Sequence, residues 1–402
     1  MSQSSPATLQ EESEFTVESL FASPEGRKIL TCMQCGMCAS TCPYGDVMEF
    51  PPRRIIATLR EGDMERVLTS SSLLNCVACY ACMAKCPRGI RLGEVLLPVV
   101  KEQVLLRLKD IPAELQKALQ NMLAYGNPEG MSPRKRADWV KDAGVPVRIL
   151  PEDPRPTDVL WFVECHGAYH PRGVETSRAT AKLFDALEVD FAILGNEERC
   201  AGECSRGAEG EPGLFDLLRE HNMATFGKYS FKRVVTSGAH AYDAFRFNYG
   251  DVGFHYPLEH TSPFFSDRLD QLTPLLKKQL NCKVTYHDSC CLGRHSGFYE
   301  EPRRLLRAIP GVELVEMCHN RVNSICCGGG GGGNWLDTYY KSKGYERLSE
   351  RRVKEAIATG ADVLASSCPY EIPRFEDALK VLGHEEMVVR DVTELLVEAM
   401  EG

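Results

Sequence analysis

The sequence carries no surplus of positive charge, no export signal and no long hydrophobic run, and each absence removes a class of function. Lys and Arg number 47 against 56 Asp and Glu, a formal net charge of -9, so the basic footprint of a general nucleic-acid binder is missing. The first fifteen residues are polar and acidic, with neither a basic n-region nor an apolar h-region, which argues against secretion. The most apolar stretch, Val95 to Leu108, is interrupted by Lys101, Glu102 and Arg107 and is not expected to cross a bilayer. If the protein works at a membrane, another subunit must hold it there. At 43% hydrophobic and 26% charged, the composition is that of a folded protein, and 402 residues allow two or three domains.

What the chain does have is cysteine: 18 residues, gathered in metal-ligand spacing rather than as scattered pairs. In a long chain without an export signal this reads as reduced thiols in the cytoplasm, used as ligands. Cys32, Cys35, Cys38 and Cys42 stand in CMQCGMCASTCP, and Cys76, Cys79, Cys82 and Cys86 in CVACYACMAKCP. Each is C-x2-C-x2-C-x3-C-P, the bacterial two-cluster ferredoxin run, in which the fourth cysteine of one run ligates the other cluster. The expected sets are Cys32, Cys35, Cys38 and Cys86 for one [4Fe–4S] cubane and Cys76, Cys79, Cys82 and Cys42 for the other. Zinc is the competing reading, but zinc knuckles use C-x2-C pairs set further apart, and a third cysteine followed by C-P has little use in a tetrahedral site.

The chain divides by pattern into a flexible tail (1–24), a helical two-cluster segment (25–108), a connector (109–156) and two α/β lobes (157–275 and 276–402). In the lobes, short apolar runs (DVLWFVEC, FAILG, FKRVVTS, KVTYHDSC, ADVLASSC) alternate with amphipathic helical stretches, which predicts parallel sheets. The two halves look duplicated, with 34 residues between Cys165 and Cys200 and 35 between Cys290 and Cys326. Ligands in such sheets collect at the carboxyl ends of strands, where several of these cysteines fall.

The last lobe holds Cys290 and Cys291 in HDSCCLGRHSG, Cys326 and Cys327 in ICCGGGGGGNW, and Cys368 in SSCPYE. This pattern resembles the cysteine-rich CCG domain. With the ferredoxin runs before it, the order resembles the D-type subunit of heterodisulfide reductase and the related catalytic subunits of membrane complexes of sulfite reduction. The resemblance implies an α+β multidomain protein, a helical two-cluster ferredoxin-like domain followed by a duplicated α/β CCG-type pair. It further implies a third [4Fe–4S] cluster, of non-cubane type, on Cys290, Cys326, Cys327 and Cys368, where a disulfide is reduced or formed. By the same analogy the partners are redox subunits, among them a membrane cytochrome b or quinone-reactive subunit, and a small disulfide or thiol. The protein would then sit peripherally on the cytoplasmic face of a membrane. A pure electron-transfer subunit, as in glycolate and lactate oxidases, is the alternative.

The fifth position of the CCG pattern departs: Glu371 stands where a cysteine is expected. Three readings stay open: a carboxylate ligand from Glu371, a role for Cys291, or four protein thiolates with an open iron. Gly328 to Gly333 suit a backbone that must approach a bulky inorganic group; a phosphate loop would need a following G-K-[ST], which is lacking. The first lobe aligns as Cys165, Cys200, Ala201, Gly238 and Ala241, so two thiols remain, and it reads as scaffold or as a residual metal site using Cys165, Cys200, Cys204 and His240. His166, His287, His295 and Arg294 flank the motifs as possible proton donors or anion contacts. Cys282 and Cys318 read as plain thiols, and the SERRVKEA helix as a solvated face.

Overall fold

The computed structural model describes residues 16–93, 100–101, 111–203 and 212–401. The expectations placed on the N-terminal tail up to residue 15, on most of the Val95–Leu108 stretch and on Cys204 lie outside the described residues. In the N-terminal segment, helix Pro52–Arg60 starts with proline at its first turn and buries Ile55, Ile56 and Leu59. Helix Met64–Leu68 is capped by the Asp63 carboxylate, which accepts the Arg66 N–H at 3.1 Å. These faces close over Phe50, Leu73 and Leu92 into a small core bordered by Cys32, Cys38, Cys76 and Cys86.

Among the described residues the strands form two parallel sheets. The first contains β1 (Arg148–Ile149), β2 (Thr157–Phe162), β3 (Phe191–Ile193), β4 (Phe231–Thr236) and β5 (Leu258–His260) in the order β1-β3-β2-β4-β5. The second contains β6 (Cys282–Tyr286), β7 (Val312–Val315), β8 (Val363–Ser366) and β9 (Val388–Asp391) in the order β7-β6-β8-β9. Stripped of the edge strand β1, the two orders are the same, so the duplication read from cysteine spacing exists in the topology. The end of the segment read as a connector packs with the first sheet: β1 pairs with β3, and Trp139 packs edge-on against Trp161 at 5.5 Å. The strands are apolar on both faces because helices cover both sides, as in other parallel sheets. β8 is buried throughout and β2 is buried except at Asp158.

The lobes share one apolar core running from Trp161, Phe184 and Val235 to Val284, Leu305 and Leu396. At its rim Arg172 reaches from helix Pro171–Ala186 of the first lobe to Glu376 (2.7 Å) and Glu394 (3.0 Å) of the second.

A buried carboxylate organises the turn after the first aligned strand of each lobe. In the second lobe Asp288 takes both terminal nitrogens of Arg303 (2.6 and 2.9 Å) and the Arg321 N–H (2.7 Å). Arg303, fully buried, also binds Glu316 at 2.7 and 2.9 Å. In the first lobe Glu164 accepts from Thr236 Oγ1 (3.1 Å) and the Ala241 N–H (3.2 Å). Its backbone stands at φ 72, a conformation that a residue with a side chain adopts at a cost. Burial, with Cys165 and Glu198 adding to it, pushes the Glu164 carboxyl up to about 8.

Both carboxylates lead to a measurable outcome. Arg303→Met strands Asp288 as a buried unpaired charge and lowers unfolding stability by about 3–5 kcal/mol, read as the shift of an anaerobic denaturant midpoint. For Glu164 the folded carboxyl holds its proton to a higher pH than the unfolded one. Its contribution is therefore complete below about pH 4.5 and is lost as pH rises through about 8. Glu164→Gln, unable to ionise, should give a flatter stability profile than the parent between pH 5 and 8; an equal slope in both proteins counts against the assignment.

Candidate cluster sites and the cleft between them

The two ferredoxin runs adopt the same backbone. Gln34 (φ 55) and Gly36 (φ 85) in the first match Ala78 (φ 47) and Tyr80 (φ 60) in the second, left-handed residues on either side of the second cysteine. They coil each run so that three thiols face inward, and a short helix (Met37–Ser40, Ala81–Ala84) then carries the fourth away. Tyr80 holds this conformation without being glycine because its ends are tied: its hydroxyl donates to Asp243 (2.9 Å) and its ring stacks on His295 at 4.1 Å.

The crossover read from the motif is present in the geometry. One concavity, about 390 Å³, is lined by Cys32, Cys35 and Cys38 together with Cys86 of the other run. A second, about 460 Å³, is lined by Cys76, Cys79 and Cys82 together with Cys42 of the first run. Cys82 borders both, and the remaining walls are largely apolar: Ile56, Ile90 and Leu92 in one, Ile55, Leu73 and Val77 in the other. Backbone N–H groups point at sulfur, from Gln34 to Cys32 and from Ile90 to Cys86, each at 3.4 Å. Burial and neighbouring thiols push Cys38 up to about 11. Such thiols need a cationic centre to ionise, so the donor set fits iron–sulfur clusters.

In the second lobe Cys290, Cys326, Cys327 and Cys368 are all buried at the carboxyl end of the sheet, and Cys291 is buried beside Cys290. Burial drives the Cys368 thiol up; contact with Cys326 and burial do the same for Cys327. The Gly328 N–H points at Cys326 Sγ at 3.3 Å. Cys326 and Cys79 line the same cleft, so the second ferredoxin set and the C-terminal set are neighbours. These thiols too fit a cluster.

The glycine run serves a further purpose. A Cβ at Gly331 would lie 2.4 Å from the Cys76 carbonyl oxygen, and one at Gly330 2.7 Å from that of Val77. The loop is bare because the backbone of the second ferredoxin run lies against it. Lys101, buried, locks the pair by donating to Cys76 O (3.0 Å) and Gly331 O (2.6 Å). Further side chains bind ferredoxin carbonyls: Arg294 on Cys79 O (2.8 Å), Tyr340 on Leu74 O (3.3 Å), Tyr345 on Val47 O (3.4 Å), and Arg351 on Pro43 O.

Glu371 is buried at the start of helix Glu371–Leu382; Ser366 Oγ donates to one oxygen, and His287 Nε2 lies 3.3 Å from the other. Although burial opposes it, these partners hold the carboxyl below the usual range, as a carboxylate beside Cys327. His287 is fixed from behind by Arg352, whose Nε donates to Nδ1 at 3.0 Å. Arg352 sits in the SERRVKEA helix and is fully buried, so that helix is not merely a solvated face. The periodicity concealed this, because an arginine that faces a polar site inside the core looks like any charged surface residue.

The first lobe fills the matching space with protein. Arg136, buried, ion-pairs with Glu198 at 2.6 Å and lies 3.4 Å from Cys165 Sγ. Although burial opposes it, Cys200 and the Arg136 guanidinium hold the Cys165 thiol below its usual value. The Glu164 carboxylate occupies the room of a side chain at Gly238: a Cβ there would be 1.9 Å from its oxygens. His240 faces the other lobe, with Nδ1 3.9 Å from Cys368 Sγ. His166 stacks on Tyr370 (4.5 Å) and bonds Glu129, and His295 bonds Asp243. None of Glu164, Arg136, Glu198, Lys101 or Arg352 stands in a cysteine motif, and no sequence signal marks them.

An open cleft of about 1040 Å³ separates the ferredoxin segment from the second lobe. Cys42, Cys79 and Cys326 reach its wall, and its charged lining, Lys85, Arg294 and Arg351, is wholly positive.

Comparison with known proteins agrees with this division. The 4Fe-4S dicluster domain family matches residues 28–90, and the cysteine-rich domain family CCG matches residues 159–241 and 284–370. A probable iron-sulfur-binding oxidoreductase of Bacillus subtilis is 32% identical over 84% of this chain and 48% of its own length. The EtfAB:quinone oxidoreductase of Syntrophomonas wolfei is 30% identical over 83% of this chain and 47% of its own length. The chain thus spans about half the length of these two relatives. The D-type subunit of the dihydromethanophenazine:CoB--CoM heterodisulfide reductase of Methanosarcina mazei is 30% identical over 92% of this chain and 93% of its own length. With both domain types in order and this match from end to end, the chain belongs to the family of iron–sulfur oxidoreductases that includes the D-type subunit of heterodisulfide reductase.

Proposed function

We propose that the chain is a thiol–disulfide oxidoreductase subunit, passing electrons between a partner and a small disulfide or thiol at the second lobe. The ligand sets are Cys32, Cys35, Cys38 and Cys86; Cys76, Cys79, Cys82 and Cys42; and, in the second lobe, Cys290, Cys326, Cys327 and Cys368, the last holding a cluster of non-cubane type. Clusters bound there supply one-electron transfer and an iron that can take up sulfur. The observation that carries the reading is the cleft whose wall takes in Cys42 and Cys79 of the second ferredoxin set and Cys326 of the C-terminal set.

The chain's own residues do the rest. Reduction of a disulfide takes two electrons and two protons and releases two thiols. His287 accepts from Arg352 at Nδ1, so its ring proton is on Nε2, beside Cys327 and Glu371. Arg294 lies between the two thiol sets, anchored on Cys79 O and Ser324 O, and offers positive charge where thiolate develops. With Ser366 and His287 on its oxygens, Glu371 acts as a charge that orients His287 rather than as a free fifth ligand.

No helix among the described residues is long and apolar enough to cross a membrane. Relatives named as a probable membrane-anchored ferredoxin and an EtfAB:quinone oxidoreductase support a quinone-reactive electron partner at a membrane; a cytochrome b as that partner and a place on the cytoplasmic face rest on the resemblance alone. The same names favour the second reading, electron transfer without a substrate of its own.

Adding a thiol to oxidised, iron-replete protein separates the two readings. A new paramagnetic signal that depends on the thiol is the expected result; silence in fully loaded material leaves only the electron-transfer role. Cys327→Ala should remove roughly four irons per chain and spare both ferredoxin signals, whereas Cys200→Ala should keep the full iron content. Loss of iron on the Cys200 change would place a cluster in the first lobe.

A further inference from the structure

Cys318, read from sequence as a plain thiol, is not alone. It lies on a tight turn after β7, between the buried Met317 and Asn320, whose side-chain amide donates to Met317 O at 2.8 Å. The turn points two neighbouring side chains, Cys318 and His319, to the same side, toward Glu355 of helix Leu348–Ala358. Cys318 Sγ is 3.3 Å from His319 Nδ1 and 3.1 Å from Glu355 Oε1, and the same His319 nitrogen bonds the same Glu355 oxygen. One sulfur, one imidazole nitrogen and one carboxylate oxygen thus converge on a single point within 4.8 Å of one another.

That convergence separates two chemistries. A nucleophile relay uses both ring nitrogens, one for the thiol and one for the orienting carboxylate. Here thiol and carboxylate meet the same nitrogen, so no proton can be passed from one partner to the other through the ring. Three donors aimed at one spot is the arrangement of a metal site. The carboxylate is prepared for it as well: Arg352 Nη1 donates to Glu355 Oε2 (2.7 Å) and to His319 O (2.7 Å), which turns Oε1 toward the thiol and imidazole and pins the turn. Outer contacts of this kind fix ligand orientation in metal sites.

We propose that Cys318, His319 and Glu355 form a mononuclear site for a divalent transition-metal ion, zinc by preference. Thiolate rules out magnesium and calcium, and one sulfur, one nitrogen and one oxygen suit zinc. Three protein ligands leave one of four tetrahedral positions for water or another sulfur or oxygen donor. His319 also lines the cleft that reaches Cys326, so the site stands at the cleft's rim. Through Arg352 it is linked to His287 and thence to Glu371, a continuous path of polar contacts from this turn to the buried thiols.

The test uses the anaerobically purified, cluster-loaded chain, incubated with one equivalent of zinc and passed through a desalting column. One zinc per chain should be retained with iron unchanged, and its X-ray absorption should show one sulfur with nitrogen and oxygen neighbours. Cys318→Ser and His319→Gln should each weaken zinc binding at least tenfold at constant iron content. Zinc held equally by both variants, zinc with four sulfur neighbours, or no retained zinc in the parent protein would each overturn the site.

Discussion

Two backbones lie against each other where Cys76 to Ala78 meets Gly330 and Gly331, and the rest of the arrangement depends on that contact. It requires the absence of side chains on one partner and a means of satisfying carbonyl groups that water no longer reaches. Glycine meets the first requirement, since any Cβ at Gly331 would sit 2.4 Å from an oxygen. Lys101 meets the second with one ammonium shared between a carbonyl from each side. A buried ammonium is costly unless fully bonded, so this contact is either made completely or not at all. Two residues on from Val77, Cys79 is held by its own carbonyl, which accepts from Arg294.

The docking of the ferredoxin segment follows the same logic at its edges. In the cysteine runs some N–H groups turn inward to sulfur, which leaves carbonyls facing out. From the second lobe Arg294 and Arg351 donate to such carbonyls, of Cys79 and Pro43, and Tyr340 and Tyr345 to those of Leu74 and Val47 nearby, each contact worth on the order of 1 kcal/mol. Recognition by donors to a backbone places few demands on the ferredoxin side chains. It also explains the cleft's positive lining, because two of its three permanent cations, Arg294 and Arg351, are there to hold the domains together.

Much of this was legible in the sequence because thiol spacing is rigidly tied to geometry. The crossover of Cys42 and Cys86 and the duplicated sheet order follow from motif and spacing, whereas grouping Cys290, Cys326, Cys327 and Cys368 rests on the resemblance to the CCG domain. What stayed hidden were residues whose role depends on long-range packing. Lys101 looked like an interruption in an apolar run, Arg352 like part of a solvated helix, and Glu164 like an unremarkable residue before a cysteine. β1 was missed because two residues, Arg148 and Ile149, carry no period, and its segment read as a connector. The glycine run was correctly singled out, but its neighbour is a peptide backbone as well as the sulfur of Cys326.

The two lobes furnish the same strand-end position with different side chains. A pocket lined by strand ends and helix N-termini has inward-facing N–H groups, and these must be satisfied. In the first lobe carboxylates take that place: Glu198 accepts the Val163 and Glu164 N–H groups, and Glu164 accepts that of Ala241. Arg136 then neutralises Glu198 and reaches one of the lobe's two aligned thiols, Cys165. Among the described residues of this lobe, protein groups thus meet one another's charge and hydrogen bonds. The second lobe keeps its thiols and positions Glu371 and His287 beside them, so the asymmetry in chemistry arises from the few side chains that face each sheet end.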